Sequence, residues 1–115
     1  MDRAALIATY AEGPAAVAAA LEGITDAELD RRPAPGEWTA REIVHHLADS
    51  ETNSYIRLRR LFAEDTPAIV GYDQDGWAHE LHYGRRPIGP SLAVFELYAA
   101  HAHDHAEQIR QARSG

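Results

Sequence analysis

Apolar residues recur at helical spacing through most of this chain. Between residues 3 and 21, Leu6, Tyr10, Val17 and Leu21 sit among many alanines, a composition and period that predict a first helix. Gly13-Pro14 falls in its middle. Proline brings no N–H and crowds the preceding turn, so a kink or a restart is expected there. Thr25 and Glu28 have the spacing of a capping box and predict a short helix through Leu29, which Pro33, Pro35 and Gly36 then stop.

Thr39 and Glu42 repeat that spacing before the longest periodic stretch, with Ile43, Leu47, Ser54, Leu58 and Leu61 on one stripe. A helix over 39–63 follows. From Asp65 to Pro90 the prolines, glycines and scattered aromatics predict a loop, with one short helix around Gln74 to Leu81. Beyond it Leu92, Phe95, Ala99, Ala102, Ala106 and Ile109 trace a helical stripe that predicts a last helix over 91–112, with Pro90 suited to its start. No stretch alternates like a strand, so the class is all-α.

Composition narrows the classes of function. At 115 residues the chain reads as one domain, 1–115, with a single core. Eleven basic and 18 acidic residues give a net charge of −7, a field that repels nucleic acid and anionic lipid. Arg57, Arg59 and Arg60 form a local basic run, read as a solvated helix face. With no cysteine, disulfides, thiolate metal sites and a cysteine nucleophile are excluded. No leader pattern or uninterrupted apolar span is seen at the N-terminus, so no membrane and a cytoplasmic location are expected.

Candidate chemistry lies with the seven histidines. A pair four residues apart arises by accident about a third of the time, so spacing alone is weak. His101 and His105 are one turn apart beside the apolar stripe, where both imidazoles can reach one point, whereas His103 leaves the helix roughly 160° from His101. On the long helix His46 lies roughly 100° from the centre of the stripe and His45 roughly 160° away, making His46 the inward-looking candidate. Three neutral imidazoles on one divalent ion leave a coordination position for water or substrate. The alternative is that His46 and His101 occupy the half-buried border of the core.

Gly36-Glu37-Trp38-Thr39 leading into His45-His46-Leu47-Ala48-Asp49-Ser50-Glu51 resembles the second helix of the DinB/YfiT-like superfamily. The likeness continues through Tyr72-Asp73-Gln74-Asp75 and Trp77-Ala78, and resumes at Tyr98 to His101 and His105 to Ile109. It implies a DinB/YfiT-like helical bundle and a metal held by His46, His101 and His105, with zinc first and nickel, iron or manganese as alternatives. It also implies a small-molecule substrate and either hydrolysis or S-transfer, the latter with a low-molecular-weight thiol cosubstrate. The family bundle has four long helices. This chain has three, passing from Tyr83–Pro90 almost directly into the last.

Glu42, Asp49, Glu51 and Asp104 are the carboxylates that would support hydrolysis as bases or partners of the ligands, each with the alternative of a solvated helix carboxylate. Trp77, Tyr83 and Tyr98 are candidate pocket walls, and Arg85 and Arg86 candidate anion receptors; core packing and surface are the alternatives. A noncatalytic metal-binding or dimeric module in stress response is the competing function. With one helix fewer, the stripes of 43–61 and 92–109 lack a wall, which predicts a homodimer with an apolar interface above about 1,000 Å².

Overall fold

A computed structural model of the chain describes residues 2–97 and Ala112. Among these residues the fold is helical and contains no strand. The elements are α1 (Arg3–Leu21), α2 (Asp26–Leu29), α3 (Ala40–Ala63) and α4 (Gln74–Glu80). A fifth helix, α5, is described over 89–97, and Ala112 is again helical. The remainder of the predicted 91–112 helix lies outside the described residues.

Both predicted capping boxes form. The Thr39 hydroxyl accepts from the Glu42 N–H at 3.2 Å while the Glu42 carboxylate accepts from the Thr39 N–H at 2.9 Å, so α3 starts where the sequence places it. Thr25 and Glu28 do the same for α2. Of the kink or restart expected at Gly13-Pro14, the restart does not occur, and α1 runs on through Pro14. Proline removes one backbone hydrogen bond there, and the flanking alanines, the strongest helix formers, carry the helix across. α1 passes beside α5 at this point, since a Cβ on Gly13 would make an ordinary 3.9 Å contact with the Phe95 ring. α1 is long and apolar enough to cross a membrane by length and composition, although Glu12 stands in its middle.

The C-terminus of α4 turns the chain back into the core. The His82 N–H donates to the His79 carbonyl at 3.2 Å and the Tyr83 N–H to the Ala78 carbonyl at 3.0 Å, the paired bonds of a Schellman motif. The left-handed position falls on His82, with φ of 54°, where glycine is the usual occupant. The next residue, Tyr83, is thereby carried inward and is 1% exposed.

The core comprises Leu29, Val44, Ala48, Tyr83 and Phe95, with Thr39 and His45 buried among them. α3 packs against α2 and α4. Its covered side therefore follows Val44, His45 and Ala48, about 100° around the helix from the predicted stripe. That stripe is left open: Ile43, Leu58 and Leu61 are 44%, 53% and 45% exposed. The rotation overturns one expectation. His45, read as outward-looking, is 1% exposed and more deeply buried than His46.

Candidate metal centre

The N-terminal half of α3 and the turn before it assemble the site. Gly36 takes φ of +85°, a conformation that suits glycine, and the capping box at Thr39 follows directly, so Trp38 is held against the side of α3. Its ring meets the His46 imidazole edge-on at 4.7 Å between centroids and faces Tyr83 at 6.3 Å. His46 is half-buried, and its Nδ1 is shut from solvent with no hydrogen-bond partner among the described residues.

His45 is anchored at both nitrogens. Its Nε2 donates to the Arg86 carbonyl at 2.9 Å, and its Nδ1 meets the Ser91 hydroxyl at 2.7 Å. The same carbonyl receives the Arg41 Nη1 at 3.0 Å, and Arg41 also pairs with Asp30 at 2.7 Å. These contacts tie α3, the end of α2 and the start of α5 together beside His46.

The carboxylates divide by environment. Glu42 serves the cap and pairs with Arg32 at 3.0 Å; burial works to raise its pKa, but the Thr39 bonds and Arg32 together hold it below the ordinary value. Asp49 accepts the Tyr83 hydroxyl. Burial, and then the bond and charge of Asp49, push the Tyr83 phenol well above its usual range. Tyr72 is raised too, by burial first and Asp49 second; Ser50 lies beside it, yet the geometry falls short of a hydrogen bond and the Tyr72 hydroxyl stays buried without one among the described residues. Glu51 is raised by burial.

Two hollows flank this centre. A cleft of about 530 Å³ is lined by Trp38, Arg32, Glu42, Asp75, His82 and Arg85. A smaller pocket of about 250 Å³ lies between α3 and the segment 68–72, with Trp77 in its wall.

Of the three expected ligands, His46 is described, half-buried on α3. His101 and His105 lie outside the described residues, as do His103, Asp104 and Tyr98. Among the described residues no group of three histidine or carboxylate side chains converges as a metal site would require. The orphaned Nδ1 of His46 is the feature that fits an ion, because a buried imidazole nitrogen lacking a hydrogen bond is costly unless something else occupies its lone pair. Trp77 lines a pocket as expected, while Tyr83 belongs to the core and to Asp49. Arg85 borders the larger cleft, and Arg86 contributes chiefly its carbonyl.

The sequence reading did not single out Ser91 or Tyr72. The adjacent pair His45-His46 carried a signal for the first: neighbours on a helix differ by about 100°, so one can enter the core and meet α5 while the other stays at its border.

The sequence model of the DinB superfamily matches residues 9–112. The chain is 49% identical over 67 residues to "Putative metal-dependent hydrolase YfiT" of Bacillus subtilis, a match covering 58% of this chain and 38% of that protein. It is 43% identical over 88 residues to a "Putative metal-dependent hydrolase" of Bacillus pumilus, covering 76% and 50%. The solved structure of Bacillus subtilis YfiT, described as "a probable metal-dependent hydrolase with an unusual four-helix bundle topology", superposes with a TM-score of 0.79 at 36% identity, over 89% of this chain and 58% of that one. The chain thus spans about half the length, or less, of the curated relatives it matches, from 38% to 51%.

Proposed function

The chain belongs to the DinB superfamily, and on that footing we propose that it is a metal-dependent protein whose His46, His101 and His105 hold one divalent ion. The observation that carries this reading is the buried Nδ1 of His46, which has no hydrogen-bond partner among the described residues. Support comes also from the names of the relatives, which are called "Putative metal-dependent hydrolase".

An ion held by three imidazoles keeps a coordination position and supplies Lewis acidity for activating water or polarising a substrate. Zinc suits such nitrogen ligands, and nickel, iron or manganese are the competing occupants. Trp38 keeps water from one side of His46 and fixes the plane of its ring. His45 holds the start of α5 on α3 and so governs how the last helix leaves Ser91. Glu51, whose carboxyl burial raises above its ordinary value, is the carboxylate proposed for proton transfer.

Hydrolysis is the reading the relatives' names favour. Thiol transfer uses the same open position but needs an added low-molecular-weight thiol, because the chain has no cysteine. We further propose that a second copy covers the open stripe of α3 and that the protein works in the cytoplasm on a small molecule, away from nucleic acid and membranes, in keeping with its −7 charge.

The test is removal of the metal. Chelation of verified zinc-loaded protein is expected to lower the melting temperature, with binding weakening below about pH 6 as imidazole protonates. An unchanged melting temperature would contradict the reading. Turnover of ester and amide substrates without thiol would favour hydrolysis; turnover only with thiol would favour transfer; none in either case would leave the noncatalytic module.

A further inference from the structure

The run Arg57, Arg59 and Arg60 separates into two roles in the folded chain. Arg59 lies over the Tyr55 ring, 4.6 Å from its centroid. Arg57 and Arg60 border the pocket of about 250 Å³ that α3 forms with segment 68–72 and α4. Arg57 also donates to the Val70 carbonyl at 3.3 Å, which holds the pocket wall in place. The Arg60 guanidinium has no partner among the described residues, so its donors remain available.

The rest of the wall is apolar and aromatic: Ile56, Ala68, Val70, Tyr72 and Trp77. Tyr72 and Trp77 brace one another, with ring centroids 4.6 Å apart. Asn53 spends its amide N–H on the Asp49 carbonyl at 2.8 Å, which leaves its side-chain oxygen for the pocket's polar edge. Two arginines in a protein of net charge −7 thus line a hollow whose other walls are mainly apolar. Guanidinium forks match planar carboxylates bidentately. The volume of 250 Å³ equals roughly eight water volumes, which limits the occupant to a small organic molecule.

We propose that this pocket binds a small apolar carboxylic acid, its carboxylate on Arg60 and Arg57 and its hydrocarbon or aromatic body against Ile56, Val70 and Trp77. Asn53, Arg57 and Arg60 lie within about 40° of His46 around the axis of α3, and Asn53 is about 10 Å further along it. The bound acid therefore lies along the face that carries His46. The inference stands on the pocket alone and does not require a metal on His46.

The probe is n-hexanoate, titrated into the full chain while the Trp77 indole and Gly71 amide resonances are followed by NMR. Saturable shifts at both are expected. Arg60→Met, which keeps the aliphatic stem, is expected to weaken hexanoate about tenfold, the typical worth of a charged hydrogen bond. It should leave the weaker binding of n-hexanol unchanged. Val70 is 63% exposed, so Val70→Asp should fold normally and abolish hexanoate binding by placing a like charge at the mouth. Shifts that fail to saturate, equal affinity for hexanoate and hexanol, or full binding by Val70→Asp would each overturn the proposal. Tighter binding of phenyl phosphate than of hexanoate would overturn the carboxylate assignment. Because the readout needs no metal, these failures are separate from a failure of the three-histidine reading.

Discussion

His45 and Ser91 meet through a 2.7 Å contact between Nδ1 and Oγ, and this contact seats the beginning of α5 on the N-terminal part of α3. The other ring nitrogen reaches the Arg86 carbonyl, so one buried side chain spans the turn that leads into the last helix. Ser91→Ala is expected to cost about 1 kcal/mol of stability, the net worth of one hydrogen bond. If the proposed site is right, it should also lower metal affinity several-fold, because the start of α5 loses its seat on α3. Denaturant melts and calorimetric metal titration check the two effects, and unchanged values in both would show that the contact is incidental.

His82→Gly is expected to stabilise the chain. The left-handed φ of 54° at the end of α4 costs a residue with a Cβ about 1 kcal/mol relative to glycine. An urea midpoint that rises with an unchanged slope is the expected result, and a fall would mean that the His82 side chain contributes more than its backbone costs.

Glu51→Gln tests the desolvated carboxylate through pH. Burial raises the folded pKa of Glu51 above its ordinary 4.5, so the folded state binds the extra proton between the two values. The penalty for ionised Glu51 is absent at pH below the ordinary value and grows as pH rises through the raised one. The glutamine variant should melt higher than the parent at pH 7, and the difference should disappear near pH 3.5. A difference independent of pH would assign the effect to packing instead.

Much of the fold was legible because local chemistry decides it. Thr39 with Glu42 and Thr25 with Glu28 are complete signals within four residues, and the helices start there. The helix does not restart at Pro14 because a proline penalty is local, whereas α1 extends over enough alanines to absorb it. The face of α3 was not legible. Ile43, Leu58 and Leu61 give the stronger apolar period, but which side of a helix is covered depends on where α2, α4 and α5 lie, and that placed Val44, His45 and Ala48 inside. The angle of His46 to that stripe makes it the inward-looking candidate. Its half-buried position and orphaned nitrogen agree with that reading, although the side of the helix that is covered differs from the one assumed.

The open stripe makes a prediction of its own. Phe62 is 88% exposed, beside Leu58 and Leu61 on the last turns of α3. If a second copy covers this face, sedimentation at micromolar concentration will give a dimer, and Leu58→Glu with Phe62→Glu will return it to a folded monomer. A wild-type monomer would contradict the dimer and leave the stripe to be covered by something other than a second copy.

The central claim is that His46 is one of three histidines on a single ion. Protein purified without a histidine tag, analysed for metal content by mass spectrometry, is predicted to carry close to one divalent ion per chain. His46→Ala should lose it while retaining its helical circular dichroism. A wild type that binds no metal after zinc loading, or a His46→Ala variant that keeps the full complement, would contradict the account.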